Sequence, residues 1–275
     1  MLRTLFGALA LSPLAGLAEA PAPLPLWEVG FITTAANVPD YPGADRNQWR
    51  VLPLPYAIYR GRTVRADGGG LRGRYRFTAD TELDLSFGGA LPVGQGNPAR
   101  EGMPNLDLLL EVGPRLTMTF MRPKPGASAS LALPVRAVFS TDFTRIGAEG
   151  FIATPELVYA DQTLFGSAWR TRFAAGPVFA SEGLNDYFYG VAPVFARADR
   201  PAYEARAGYV ESRLTVSASR AYTEAFTLFA FGRLSSLHGA TNTDSPLLRE
   251  KLNTAVGLGI AYTLRRSTKR VANED

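Results

Sequence analysis

Polar and apolar residues alternate with a period of two along most of this chain. Between Leu106 and Met121, the side chains of Leu108, Leu110, Val112, Pro114, Leu116, Met118 and Phe120 share one face of an extended strand. Asp107, Glu111, Gly113, Arg115, Thr117 and Thr119 share the other, and only Leu109 breaks the pattern. The same alternation returns at 71–77, 83–87, 131–139, 169–173 and 256–264. A soluble sandwich also has one apolar and one polar face per strand. The length of the segments and the arginines and carboxylates on their polar faces favour strands with lipid outside and a polar lumen inside.

Strands are expected near 26–36, 49–60, 62–67, 70–77, 82–91, 107–121, 127–140, 150–160, 167–179, 213–221, 224–234 and 254–264. Their joins alternate between tight turns (Arg60-Gly61, 78–80, 123–126, 161–163, 221–223) and long loops (37–48, 92–106, 141–149, 180–212, 235–253), with Gly68-Gly69-Gly70 as a short exception. The pattern predicts an all-β fold: a transmembrane, antiparallel, up-and-down β-barrel of about 12 strands, with short periplasmic turns and longer extracellular loops. Prolines within strands (Pro53, Pro55, Pro114, Pro134, Pro155 and Pro177) each remove a backbone donor and predict irregular pairing.

Residues 1–20 combine a short basic start, an apolar run from Thr4 to Leu17 and small-x-small sites. They read as a signal peptide cleaved after Ala18 or Ala20. The barrel is then 21–264, and 265–275 is a polar periplasmic tail. Beyond residue 20 no apolar run approaches the length of a helical span. An exported barrel of this kind belongs in the outer membrane of a Gram-negative cell, with outer-membrane lipid around it.

Composition narrows the chemistry. The 275 residues carry 29 Lys+Arg against 25 Asp+Glu, too mild and dispersed a balance for a nucleic-acid surface. The absence of cysteine and the presence of one histidine, His238, exclude disulfides, thiolate ligands and multi-histidine metal sites. No cofactor or metal is expected. His238 lies near Ser235, Ser236, Asp244 and Ser245, but proximity in one polar loop is not a triad geometry. The chain therefore reads as a non-enzyme.

Several short stretches carry a resemblance. Asp40-Tyr41-Pro42-Gly43, Leu52-Pro53-Leu54-Pro55-Tyr56, Gly113-Pro114 and Leu131-x-Leu133-Pro134-x-Arg136 come first. Pro155-Glu156-Leu157-x-Tyr159, Gly176-Pro177, Asn185 to Val191, Tyr203-x-Ala205, Gly208-Tyr209 and Asp244-Ser245-Pro246-Leu247 follow in order. Together they are similar to the MipA/OmpV family of MltA-interacting proteins. That resemblance implies an outer-membrane barrel acting as a scaffold between a lytic transglycosylase and a murein synthase. Other members are described as adhesion, immunogenic or stress-related surface proteins. Where such barrels end on a terminal aromatic, this chain continues past Leu264 for eleven residues.

Two residue groups stand out. Arg72, Arg74, Arg76, Glu82 and Asp84 are expected to form a charge ladder on the lumen wall of the hairpin 70–91, with paired numbers summing to 158 or 160. Tyr187, Phe188, Tyr189 and Tyr203 in the longest loop are read either as a contact surface or as rings buried at the barrel rim. Trp27, Trp49, Tyr56, Tyr59, Trp169 and Tyr262 are expected at the membrane interfaces. Besides the scaffold role, a small-solute channel with a basic lumen and a surface adhesin remain open.

Overall fold

The computed structural model describes residues 24–60, 64–67, 70–73, 75–94 and 96–271, with side chains outside Leu24, 59–76 and Phe165. The signal peptide expected at 1–20 lies outside these residues. Fourteen β-segments form one antiparallel sheet. In chain order they are β1 (Trp27–Pro39), β2 (Asn47–Arg60), β3 (Val64–Asp67), β4 (Gly70–Gly73), β5 (Tyr75–Arg76), β6 (Thr81–Ala90) and β7 (Leu108–Met121). Then come β8 (Ala127–Thr141), β9 (Ile146–Ala153), β10 (Glu156–Asp161), β11 (Arg170–Ala180), β12 (Gly208–Ala221), β13 (Phe226–Ser236) and β14 (Leu252–Arg266). One helix, α1 (Glu182–Tyr189), interrupts the strands.

Apart from β4 with β5 and β9 with β10, each strand pairs with its neighbours in sequence, and the last strand β14 pairs with the first, β1, along nearly its whole length. The hydrogen-bonded order begins at β4 and ends at β5, which only residue 74 separates in the chain. The sheet therefore returns on itself as a closed barrel. β9 and β10 both lie between β8 and β11 and are likewise two halves of one strand. With those two breaks bridged, the fourteen segments make twelve strands.

The alternation read from the sequence becomes an inside and an outside. Phe31, Trp49, Val51, Leu110, Val135, Phe151, Leu157, Leu214, Leu258 and Ile260 are all exposed on the outer wall. Side chains of the opposite parity on the same strands, such as Thr34, Glu111 and Asn253, are buried on the inner wall. An apolar outside around a charged inside is the inverse of a soluble domain and fits a hydrocarbon surround.

Two departures from the expected strands have local causes. The long loop expected at 141–149 is a four-residue turn, because Asp142 Oδ1 accepts from the backbone N–H groups of Thr144 and Arg145 at 2.9 and 2.8 Å. Phe143 takes a left-handed φ of 70° there, and β9 starts at Ile146. Polar residues that suggested a loop instead close an Asx-type turn. β12 starts at Gly208, well before 213, and so carries Glu211 into the barrel wall.

The prolines and glycines of the wall work in pairs. Pro155 has no N–H, and pairing to β11 stops after Ala153 and resumes at Leu157. The Pro155 carbonyl leans toward β11, where a Cβ on Gly176 would lie 1.9 Å from it. Gly113 faces the Val135 carbonyl, next to Pro134, in the same way, at 2.0 Å. In β14 glycine makes room for rings: Phe229 pairs with Gly259 and Phe231 with Gly257, and each ring covers its glycine. Tyr56, expected at the membrane interface, instead points inward over Gly30, with its hydroxyl 2.5 Å from Thr263 Oγ1. The lack of a Cβ at Gly30 opens that inner space.

The polar stretch after residue 264 is partly structured. Arg270–Val271 pairs antiparallel with Leu24–Pro25, Ser267 N–H donates to the Trp27 carbonyl at 2.9 Å, and Leu26 N–H donates to the Lys269 carbonyl at 2.8 Å. The two ends of the described chain are thus clasped at the tight-turn end of the barrel.

Gly176→Ala is expected to destabilise the folded barrel by about 1–3 kcal/mol, because backbone must move to admit the methyl group. Gly232→Ala, whose Cβ would meet nothing within 4 Å, should stay within about 0.5 kcal/mol of the parent. Urea titrations read by heat-modifiable gel mobility measure both; equal effects would contradict the role assigned to the Pro155 carbonyl.

Candidate functional site

The long loops at the end opposite the clasp form a cap. Tyr41, Ala44, Val93, Leu106, Leu184, Tyr189, Ala205, Leu237 and Leu248 come from four different loops and are buried in one cluster with Leu109, Val138, Val178 and Val210 of the strand ends. α1 contributes through its i, i+4 spacing: Leu184 with Phe188 and Asn185 with Tyr189 lie on the faces turned toward the barrel.

Polar staples fix this cluster. The Tyr41 hydroxyl donates to the Leu247 carbonyl at 2.9 Å, and the Tyr189 hydroxyl donates to the Pro42 carbonyl at 3.0 Å. Asn253 accepts from Gly43 N–H at 2.6 Å and donates to the Ala44 carbonyl at 2.9 Å. Arg100, over the Tyr41 ring, donates to the Phe188 carbonyl at 3.0 Å, and Arg200 donates to the carbonyls of Ala99 and Glu101 at 3.0 and 2.9 Å. Burial pushes the pKa values of the Tyr41, Tyr187 and Tyr189 phenols above the ordinary tyrosine value and lowers that of Arg100.

The aromatic residues singled out in the longest loop lie within this cap. Tyr189 is 1% exposed; Tyr187, Phe188 and Tyr203 are half-buried. Tyr187 and Phe188 meet edge to face, and the Tyr203 hydroxyl donates to Asn242 Oδ1 at 3.1 Å. Elsewhere in the loop Val194 is exposed.

Below the cap the lumen is lined by ion pairs. Arg115 grips Asp84 with both ends of its fork, Nε to Oδ1 at 3.0 Å and Nη2 to Oδ2 at 2.6 Å. Arg136 Nε donates to Glu111 Oε2 at 2.8 Å, Arg172 Nη2 lies 3.3 Å from Glu156 Oε2, and Arg213 Nη2 lies 2.6 Å from Glu211 Oε1. Of the ladder expected on the hairpin 70–91, the backbone register places Arg76 opposite Glu82 and Tyr75 opposite Leu83. Arg74 lies outside the described residues, as do the side chains of Arg72 and Arg76. Asp84 is held from the other side, by Arg115 on β7.

A cavity of about 190 Å³ separates cap from lumen. Arg50, Arg136, Arg213 and Arg233 line it with Asp40, Glu111 and Glu211, and Leu52, Leu109, Val138, Phe188 and Phe231 supply apolar wall. Sequence reasoning missed Arg50, Arg233, Asp40 and Glu211. Glu211 lies in the part of β12 taken for loop. Arg233 shares the inner face of β13 with Phe229 and Phe231, so aromatic residues on both faces hide the polar side. The signal available was the glycine pair of β14, whose partners must be bulky and inward.

The serine, histidine and aspartate residues near 238 do not come together as a catalytic group. His238 is exposed with Ser236 Oγ 3.3 Å from its Nδ1, while Ser245 Oγ donates to the Tyr189 carbonyl at 2.7 Å. Among the described residues no group of three His, Cys, Asp or Glu side chains is placed to hold a metal ion.

A double-mutant cycle of Asp84→Ala and Arg115→Ala is expected to show a coupling of about 0.5–3 kcal/mol, since Asp84 is almost fully enclosed. The exposed Asp142–Arg145 pair should show none. The cap should open at alkaline pH. Its neutral phenols resist ionisation, whereas in an open cap they would titrate near the ordinary value of 10.0. Cap stability is then constant below about pH 10 and falls above it. Phenolate absorbance should rise in two phases, the later one coinciding with cap opening measured by proteolysis; a single phase with the cap intact would contradict this.

Comparison with known proteins places this barrel. No curated protein matches the sequence. Among solved structures, an outer membrane channel from Pseudomonas putida F1 is similar with 13% identity and a TM-score of 0.38, over 91% of this chain and 100% of that one. The CymD monoaromatic hydrocarbon channel gives 12% identity and 0.35, over 90% of each chain. The Pseudomonas putida toluene transporter TodX gives 10% and 0.29, over 96% of this chain and 75% of that one. The family model described as MltA-interacting protein MipA matches residues 33–264, from within β1 almost to the end of β14. The chain belongs to the MipA family of MltA-interacting proteins.

Proposed function

We propose that this protein is a closed, non-catalytic barrel that serves as a scaffold in the outer membrane and receives a murein lytic transglycosylase at its tight-turn end. The observation that carries the reading is the cap. Four loops share one buried cluster with the strand ends, and ion pairs line the inner wall beneath it. A barrel built this way offers surfaces rather than a passage. The partner class comes from the family description, MltA-interacting protein. The resemblance adds a murein synthase as a second partner.

The end of the barrel follows from topology. Short turns of outer-membrane barrels face the periplasm, where murein lies. At that end the exposed Phe77 and Tyr222, the latter under the Arg220 guanidinium, stand among the ion pairs Arg122–Asp80, Lys124–Asp161 and Arg266–Glu224. Exposed aromatics ringed by charge suit a protein contact.

Surface plasmon resonance with an MltA-type transglycosylase over the folded full-length protein tests this. Binding is expected, weakened at least about tenfold by the double substitution Arg122→Glu and Lys124→Glu. Val194→Ser at the cap tip should leave it unchanged. Planar bilayers should show no stepwise conductance. Conductance steps, or binding sensitive to the cap tip and not to the tight turns, would overturn the scaffold reading.

A further inference from the structure

The end of the last strand carries a charge pattern that the scaffold role does not use. Between Arg265 and Val271 the sequence holds Arg265, Arg266, Lys269 and Arg270 and no carboxylate. All four cationic residues are exposed, yet the backbone that presents them is fixed. Leu26 N–H donates to Ser267 Oγ at 3.1 Å and to the Lys269 carbonyl at 2.8 Å, Ser267 N–H donates to the Trp27 carbonyl, and Arg270 pairs with Pro25.

A β-bulge decides where Arg265 points. Tyr262 pairs with Phe31 and Thr263 with Gly30; the register then shifts, and Arg265 pairs with Val29. Opposed residues share a face of the sheet. Phe31 and Tyr262 are exposed on the outer wall, while Thr263 lies inside against the Tyr56 hydroxyl. Strict alternation from Tyr262 would turn Arg265 into the lumen. Leu264 is the extra residue of the bulge, and it returns Arg265 to the outer face beside Val29. On that face Leu258, Ile260, Tyr262 and Leu264 form an exposed apolar strip that ends at Arg265, with Trp27 on the neighbouring strand.

Hydrocarbon-facing residues, then aromatic rings, then cations follow the order of acyl chains, interface and headgroups in a leaflet. Arg266 is engaged by Glu224, whereas Arg265 and Lys269 form no ion pair among the described residues. Arg265 stands opposite Val29 and Lys269 opposite Leu26. Three residues of strand separate them, about 10 Å, within the joint reach of two long side chains. We infer that the clasp binds an anionic phospholipid of the periplasmic leaflet, its headgroup drawn to Arg265 and Lys269 and its chains lying against Tyr262, Leu264 and Phe31. A lipid fits better than a soluble acidic polymer because the cations continue the hydrocarbon-facing strip. The site is apart from Arg122 and Lys124, which follow β7, and needs no partner protein.

Native mass spectrometry of the folded protein in uncharged detergent micelles tests the site, with dioleoyl phosphatidylglycerol and dioleoyl phosphatidylcholine as probes. The full chain is used, because Glu274 and Asp275 follow the segment. The two lipids share chains and phosphate and differ in net charge. A basic side chain at an anionic surface contributes about fivefold, so phosphatidylglycerol is expected to be retained at least about tenfold more strongly, and less so at high salt. The double variant Arg265→Gln and Lys269→Gln should lose that preference, while Arg145→Gln at the opposite end should keep it. Equal retention of the two lipids by the parent protein would overturn the inference, whether or not any variant folds. So would an undiminished preference in a double variant that still shows heat-modifiable mobility. If that variant keeps its lipid preference but no longer sediments with isolated murein sacculi, the clasp serves the polymer and the lipid assignment falls.

Discussion

In hydrocarbon, every backbone N–H and C=O must find its partner within the protein, and the closed ring of strands is how this chain meets that demand. The ring closes through the segments β3 to β5, which join the two ends of an otherwise continuous sheet. It also explains the tolerance for proline. A missing donor at Pro155 is accommodated by letting the neighbouring strand come closer at a glycine, rather than by opening the wall.

Closure creates a second constraint, since twelve strands enclose more space than small side chains fill. The chain answers with two materials. Aromatic rings fold over inner glycines near β13 and β14, and arginine–carboxylate pairs brace β6 to β12. An enclosed charge without a counter-charge would be costly, so the pairs are bidentate or tightly engaged where burial is greatest. The loops then cover one mouth with an apolar cluster of their own, tied by tyrosine hydroxyls and by Arg100 and Arg200.

The strands were legible because period two is a local property: β7, β8 and β14 appear in the sequence almost as they stand in the barrel. The family likeness was legible for the same reason, being carried by short strand and turn motifs such as Gly113-Pro114 and Gly176-Pro177. The cap was not, because Tyr41, Leu184, Leu237 and Leu248 meet only after four loops converge, and no spacing within one loop encodes that meeting. The cavity was half legible. Arg136 and Glu111 obey the alternation, whereas Arg233 stands in a run with aromatics on both faces, and Tyr56 turns inward because Gly30, on the neighbouring strand, leaves space beneath it. The turn at 142–145 hid behind polar residues whose side chains hydrogen-bond their own backbone.

The clasp between Leu24–Pro25 and Arg270–Val271 gives the ring an unusual freedom. The ends of the described chain are already hydrogen-bonded neighbours, so a short peptide joining them would add little loop-closure entropy. The order in which the strands are connected then has no privileged beginning. A circular permutant opened at the exposed turn 142–145 would keep every strand pair, including the β1–β14 seam, while converting that seam from a junction between chain ends into an ordinary hairpin.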